Sequence, residues 1–562
     1  MKSFSIKDIK IFKVDPNGYT KDQDIDQKYR LWPLVYILYK RKVLYVGETT
    51  DIKKRFKYHS KNELKAELGN KIVMFSDYFN KSATLQLEAK LIEFLSADGR
   101  FKLLNLNLGL SKHNYYHKEH YEKIFPEIWN SLKEKHIVKN TLKDIINLNS
   151  FKYSPYKFLN GDQQAAIIAI LEALNQGKKT IFVKGGAGTG KTVLAMYLMK
   201  LLATPMSDFD IEEFDDTFSI EAAALTRKLQ GAYNNPESDI GLVVPMASLR
   251  GTLTKVFRNI ENLSDDMVIT PAKAALGAYK LLIVDEAHRL RRRKALGQYG
   301  ILDKPNAALK LPRDTHELTW MLKKSASRIL FYDKRQSIRP SDVEQREFDE
   351  LLSKDDTLLI ELKSQIRSKG GDLYSDFVER LMHSALKPKE TFESDEYELL
   401  LMDDVGDLRN KIIEKDQQFG LSRVVAGFAW EWKSQHDKSL YDISIGGHLL
   451  RWNTTTSDWI NSPDAINEVG CIHTTMGCDL NYAGIIFGDE IGYDIEKKEF
   501  IFRPKAYKDR NGKSGVNATD IEEYITNIYE TLLLRAVNGT YIYCCDEGLK
   551  AYFTQHIKVS GI

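Results

Sequence analysis

Between Lys179 and Leu198 the chain reads KTIFVKGGAGTGKTVLAMYL, and no other stretch restricts the fold as tightly. Thr180-Ile181-Phe182-Val183 is β-prone and apolar, which predicts a buried strand. The next eight residues, Gly185 to Thr192, match G-x-x-x-x-G-K-[ST] in full, and Val193, Leu194, Tyr197 and Leu198 then recur at helical spacing. Strand, glycine loop and helix in that order predict a site for a nucleoside triphosphate. Such a ligand needs many backbone N–H groups converging on it, and Gly185, Gly188 and Gly190 let the backbone bend and approach closely enough. The helix start adds partial positive charge, Lys191 a point charge for the β- and γ-phosphates, and Thr192 a hydroxyl for Mg²⁺.

With 562 residues the chain is too long for one core, so three or four domains are expected. Apolar (43%) and charged (28%) contents are those of an ordinary globular protein, which excludes a disordered or fibrous class. No run of 18 apolar residues predicts a membrane span, and the first residues lack the apolar core of a signal peptide. Cys471, Cys478, Cys544 and Cys545 have no metal-ligand spacing and read as buried thiols of a cytoplasmic protein. The net charge of +3 is too small to mark a nucleic-acid binder, so any basic surface must be local.

Three more strands are legible in the stretch that follows, the first being Ile240 to Met246. Lys280 to Val284 ends in Asp285-Glu286, carboxylates at the carboxyl end of a strand, where doubly wound sheets place ligands. Asp285 is expected to hold Mg²⁺ with Thr192, and Glu286 to polarise the water attacking the γ-phosphate. Arg289, Arg291, Arg292, Arg293 and Lys294 follow, either a solvated loop or a reach toward phosphates. Arg328 to Tyr332 leads into Asp333-x-x-Gln336. An acidic stretch, Ser207 to Asp216, suits a solvated excursion or a protein-partner site rather than a nucleic-acid surface.

In their order these segments resemble superfamily 1 helicases, in particular the Schlafen-related helicase-like NTPases, over about 160–555. The resemblance implies that Gln163 reads adenine, favouring ATP over GTP, and that Gln336 links the γ-phosphate to the bound strand. Arg367 in Glu361-Leu362-Lys363-Ser364-Gln365-Ile366-Arg367-Ser368, assigned to the second lobe, and Arg535 near the C-terminus then match the family's γ-phosphate arginines. In Thr474-Thr475-Met476-Gly477-Cys478-Asp479 a methionine, Met476, stands where the family usually has glutamine, a departure that removes one polar contact and weakens the case for processive unwinding.

Nearer the N-terminus, Leu34 to Tyr39 and Val43 to Val46 predict a hairpin with a basic turn. A basic helix from Asp51 and an amphipathic helix over 84–96 follow. Leu34-Val35-Tyr36 and Tyr45-Val46-Gly47, with Arg55, His59, Glu88 and Asn105 after them in order, resemble the GIY-YIG nucleases, with Leu34 in place of the first glycine. The resemblance implies metal-assisted phosphodiester hydrolysis. Glu88 would hold Mg²⁺ or Mn²⁺, Tyr36 would help deprotonate the attacking water, and Arg55 would clamp the phosphate. His59 and Tyr45 would support proton transfer and positioning. His113, His117 and His120 lack the partners a metal cluster needs.

The expected architecture is α/β: an N-terminal extension (1–29) able to form a short strand, a small α+β GIY-YIG nuclease domain (30–115) and linker and packing helices (116–158), then two RecA-like doubly wound parallel-sheet lobes (159–338 and 339–562), the first with an acidic insert near 205–238. The implied function is an ATP-driven nucleic-acid motor or switch coupled to a metal-dependent nuclease acting on DNA rather than RNA, suited to restricting foreign DNA. The alternatives are a nucleotide-sensing regulator and a DNA-repair nuclease–helicase.

Overall fold

The computed structural model of the chain describes residues 5–14, 31–106, 108, 115–205, 207, 209, 214, 216–455, 458–475 and 477–561. Met476, His113 and most of the acidic stretch 207–216 lie outside the described residues. Contacts divide the chain into two compact units. One comprises Met1–Asn175, Val193–Glu237 and Thr252–Met267, the other Gln176–Thr192, Ser238–Gly251 and Val268–Ile562.

The first unit holds a five-stranded sheet made from β1 (Lys10–Val14), β2 (Leu34–Lys40), β3 (Val43–Thr49), β4 (Asn70–Phe75) and β5 (Lys102–Leu103). The order is β1-β4-β2-β3-β5, with only the β3–β5 pair parallel. In the β2–β3 hairpin Tyr36 faces Gly47 and Leu38 faces Tyr45. The helix Lys81–Asp98 starts three residues ahead of the apolar pattern because the Asn80 side chain caps it, accepting from the Ala83 N–H at 2.9 Å. Its Leu87, Leu91 and Leu95 close over Val35, Ile37 and Val46.

Two expectations change here. The stretch expected as an N-terminal extension contains β1, an edge strand antiparallel to β4, whose Ile11 and Phe12 pack toward opposite faces of the sheet. Lys10 and Lys13 on either side dilute the alternation that marks a strand. The segment expected as linker and packing helices packs into the same core. Helix Lys118–Glu134 contributes Ile124, Phe125, Ile128, Trp129 and Leu132 to the cluster that also contains Val35 and Leu91. With Trp129 completely buried, it packs on the nuclease fold rather than spanning a gap.

The second unit contains two parallel sheets. The first runs β11-β6-β10-β9-β7-β8, from β6 (Thr180–Gly185), β7 (Ile240–Val243), β8 (Val268–Ile269), β9 (Tyr279–Val284), β10 (Ser325–Tyr332) and β11 (Thr357–Leu362). The second has five strands in the order Glu398–Leu401, Ala536–Cys544, Leu480–Phe487, Arg423–Ala426, Val469–Cys471. Every pair in both is parallel, and central strands such as β9 are apolar and buried throughout Leu281–Val284, as sheets covered on both faces require. These are the two RecA-like lobes. The boundary between them falls later than expected. β11 pairs with the glycine-loop strand β6 from Thr357↔Thr180 to Leu362↔Gly185, so the first sheet runs past residue 338 to Leu362. Trp452 and Trp459 are fully buried in the second lobe, and Trp430 and Trp432 pack against its core.

Candidate functional site

Loop 185–190 follows β6 and the helix Lys191–Ala203 leaves it. Gly188 (φ +85°) and Gly190 (φ +84°) adopt the left-handed backbone that side chains disfavour, the physical reason for glycine at both. Lys191 is nearly buried. Its Nζ donates to the Gly185 and Gly186 carbonyls at 2.8 Å each and lies 3.7 Å from the Asp333 carboxylate. Thr192 Oγ1 donates to Asp285 Oδ2 at 2.8 Å, so the two groups expected to share a cation are already together.

Asp285 is fully buried at the end of β9. Burial and the adjacent Glu286 charge push its carboxyl up to about 7. Glu286 stands in the left-handed region (φ +51°) and pairs with His288 Nε2 at 2.9 Å. Burial alone would raise Glu286, but the pairing with His288 and the charges of Lys191 and Arg535 outweigh it and hold the carboxyl below its usual range. Of the two neighbours, Glu286 is thus the more readily ionised. His288 Nδ1 accepts the Asp333 backbone N–H at 3.2 Å and so links the Glu286 carboxylate past β9 to the backbone at the end of β10.

Gln336 is buried, donating to Asp333 at 2.7 Å and accepting from Arg535 Nη2 at 3.5 Å. Arg367 follows β11 directly. Its backbone N–H and that of Ile366 donate to the Gly188 carbonyl at 3.2 and 3.0 Å, and its Nε pairs with Asp479. Gln365 Nε2 donates to the Ala187 carbonyl at 2.6 Å. Arg367 Nη1 and Arg535 Nε are buried with no hydrogen-bond partner among the described residues. Burial and the nearby Arg367 charge also lower Arg535. Two crowded guanidiniums with donors to spare fit an anion between them.

Gln163 lies in the other unit, in the first turn of helix Gly161–Asn175. Its Oε1 accepts the Asn160 N–H at 3.1 Å while Asn160 Oδ1 accepts the Gln163 N–H at 2.9 Å, a reciprocal cap. The basic run after Glu286 is largely neutralised rather than solvated. Arg289 pairs with Asp342 at 2.7 Å, Arg291 with Glu317 at 2.7 Å, Arg293 with Asp303 at 2.8 Å, and Arg292 with Glu344. The missed participants are Asp333, His288, Gln365 and Asp479. Only Asp333 had a local signal, the D-x-x-Q spacing; the others are defined by contacts across the fold.

In the first unit Tyr36, Tyr45, Arg55 and His59 converge. Tyr36 Oη lies 2.6 Å from His59 Nε2 and accepts from Arg55 Nε at 3.1 Å. Burial, with the Lys65 and Arg55 charges, pushes His59 down to about 3, so the ring is neutral at pH 7 and its Nε2 takes the Tyr36 O–H. Tyr45 packs against His59 (5.2 Å between centroids), and Lys65 Nζ sits 4.2 Å from the Tyr45 ring centre. Gly47 is dictated by Tyr36: a Cβ there would lie 2.3 Å from the Tyr36 hydroxyl oxygen. Asn105 lies just beyond β5 rather than in a strand and clamps the Val46 backbone, accepting its N–H at 3.0 Å and donating to its carbonyl at 2.8 Å. Glu88 is half-buried on helix Lys81–Asp98. No group of three or more His, Cys, Asp or Glu side chains is arranged to hold a metal among the described residues.

Residues 178–546 match the model of the Schlafen group 3 DNA/RNA helicase domain, and 33–101 match that of the GIY-YIG catalytic domain. A Saccharomyces cerevisiae protein, "Uncharacterized protein YPL245W", is 35% identical over 164 residues, 27% of this chain and 36% of its own length. The chain thus spans about a third of that relative. Among solved structures, the Bacteroides Pif1 helicase in complex with ADP-AlF3 and ssDNA aligns at 11% identity, covering 68% of this chain and 92% of its own, TM-score 0.26. A DEAD box protein from Methanococcus jannaschii aligns at 13%, covering 74% and 95%, TM-score 0.23. Similarities this distant bear on neither substrate nor mechanism.

Proposed function

Because this chain belongs to the Schlafen group 3 DNA/RNA helicase family and carries a GIY-YIG nuclease domain ahead of that module, an enzyme of the hydrolase kind acting on nucleic acid, we propose that it hydrolyses ATP to license cutting of foreign DNA. The observation that carries the ATP reading is that Arg367 and Arg535 each hold a buried nitrogen, Nη1 and Nε, with no hydrogen-bond partner among the described residues. Terminal phosphate oxygens would supply those acceptors and relieve the repulsion between the two cations. Lys191 would turn from the loop carbonyls to the phosphates, and Glu286, ionised and held by His288, would orient the attacking water. Thr192 and Asp285 would hold Mg²⁺, which when bound offsets the phosphate charge.

At the nuclease site Tyr36 would accept a hydrogen bond from the attacking water and help draw off its proton, its own O–H directed at His59 along the 2.6 Å contact and its oxygen steadied by Arg55. Glu88 would hold Mg²⁺ or Mn²⁺, hard cations that take carboxylate oxygens and keep most of their water, and such an ion when bound stabilises the leaving oxygen. A cavity of about 750 Å³ in the second unit, lined by Arg339, Phe428, Trp432, Lys433, Lys508 and Lys513, supports strand binding by its cations and aromatic faces.

The test is purified protein with linear, circular and single-stranded DNA and with RNA, each with and without ATP and Mg²⁺. DNA should stimulate ATP turnover several-fold. Lys191→Ala should abolish turnover, and Glu88→Ala should abolish cleavage while leaving turnover intact. Turnover indifferent to nucleic acid would favour the nucleotide-sensing regulator. Unchanged phage plating on cells expressing the protein would remove the restriction role and leave DNA repair.

A further inference from the structure

A third arginine stands beside the phosphate loop. Arg335 lies in the single turn Lys334–Gln336 that follows β10. Its Nη2 is 2.9 Å from the point that a Cβ on Gly186 would occupy, and outside the adjoining residues nothing else comes within 4 Å of that point. Lys191 Nζ donates to the Gly185 and Gly186 carbonyls, so Gly186 is bracketed by an ammonium and a guanidinium.

The other terminal nitrogen of Arg335 is engaged separately. Nη1 donates to Glu379 Oε2 at 2.7 Å. Glu379 lies on helix Gly371–Met382, whose Phe377, Val378 and Leu381 belong to the second lobe's core. Both side chains are half-exposed (41% and 55%), and a pair so solvated contributes little to stability. The pair therefore aims the guanidinium rather than holding the fold. Because Glu379 draws on Nη1 and Nη2 faces Gly186, the carboxylate orients the fork without occupying the nitrogen turned to the loop.

We infer that Arg335 is a third phosphate-reading arginine, contacting the terminal phosphate of a bound nucleoside triphosphate over Gly186 and aimed there by Glu379 of the opposite lobe. This rests on the ATP reading above and adds to it discrimination between a triphosphate and a diphosphate. Lys191 serves both nucleotides; Arg335 serves only the one that carries the extra phosphate.

The experiment compares binding of a non-hydrolysable ATP analogue with binding of ADP to the full chain. Arg335→Gln should weaken the analogue by about 10–100-fold and ADP by less than about threefold. Arg335→Lys should recover only part of the loss, since a lysine restores charge without the fork. Glu379→Gln should give a smaller loss of the same selectivity, because the donor stays but its aim relaxes. Equal losses for both nucleotides, or none for either, would overturn the inference provided Lys191→Ala still abolishes binding. If Lys191→Ala binds both as the parent does, the ATP reading itself has failed. Thermal melting of each variant separates unfolding from lost contact, and Arg335→Lys carries the same ratio if Arg335→Gln does not fold.

Discussion

Gly47→Ala is the most demanding test of the nuclease site, because the residue changed does no chemistry. The added methyl would sit 2.3 Å from Tyr36 Oη, 2.4 Å from Cζ and 2.9 Å from Cε1. Tyr36 is fully buried, so its ring cannot swing into solvent and the strands must part or the ring must shift. Overpacking of a close-packed core costs about 1–3 kcal/mol, and losing the Tyr36–His59 hydrogen bond about 1 kcal/mol more. The expected loss is about 2–4 kcal/mol, less than the whole stability of a typical domain. The domain should stay folded while the Tyr36 hydroxyl leaves His59 and Arg55. Hydrogen exchange over residues 34–49 should quicken and cleavage should be lost, with ATP turnover as the internal control. In a Tyr36→Ala background the same methyl meets no ring, so the cycle should return a coupling of about 2 kcal/mol. Retained cleavage, or an equal cost in both backgrounds, refutes the argument.

Three further outcomes are expected. His59 is held near 3 against about 6.5 in an unfolded chain. The unfolded state therefore takes up the proton first, and the stability present above pH 6.5 falls as pH drops toward 3. The His59→Gln variant should flatten that slope in urea melts, and an unchanged slope would assign it to other groups. Glu490 has the opposite sign: buried beneath Tyr529, it is pushed up to about 7, so stability present below about 4.5 is lost as pH rises through 7. Glu490→Gln should raise the melting temperature at pH 8 but not at pH 4. Arg367→Ala and Arg535→Ala should each cut kcat by about 10³-fold or more with little change in ATP affinity, and a pure affinity loss would place them away from the transition state.

The parts legible in the sequence are those whose chemistry is local. The glycine loop, the Asp285-Glu286 strand end and the β2–β3 hairpin each carry pattern and chemistry within a dozen residues. β1 was not legible as part of the sheet because Lys10 and Lys13 interrupt a strand whose apolar residues face both ways. β11 was placed in the wrong lobe because an edge strand, only half-buried, has no continuous apolar run to tie it to β6. The helix bearing Trp129 was legible as a packing element but not as part of the nuclease core, because amphipathicity does not say which surface it covers. The arginines of 289–293 look like a cationic patch until Asp303, Glu317, Asp342 and Glu344 arrive from distant positions. Neutralisation of this kind is a property of the fold, not of the run.

The pairing of β11 with β6 separates the duties of the two buried arginines. Arg367 is tethered five residues past a strand hydrogen-bonded to the one that ends in the phosphate loop, so its anchor travels with that loop. Arg535 comes from between helix Ala518–Leu533 and a strand of the other sheet. A rotation of one lobe on the other would carry Arg535 away with its sheet, whereas Arg367 would keep its backbone anchor on Gly188 and give up only the side-chain pair with Asp479. On the ATP reading, Arg367 would then register nucleotide in the loop and Arg535 the closing of the lobes. Cross-linking the lobes shut should rescue slow turnover caused by weak closure only while Arg535 is intact; rescue in its absence would mean that both arginines report the same event.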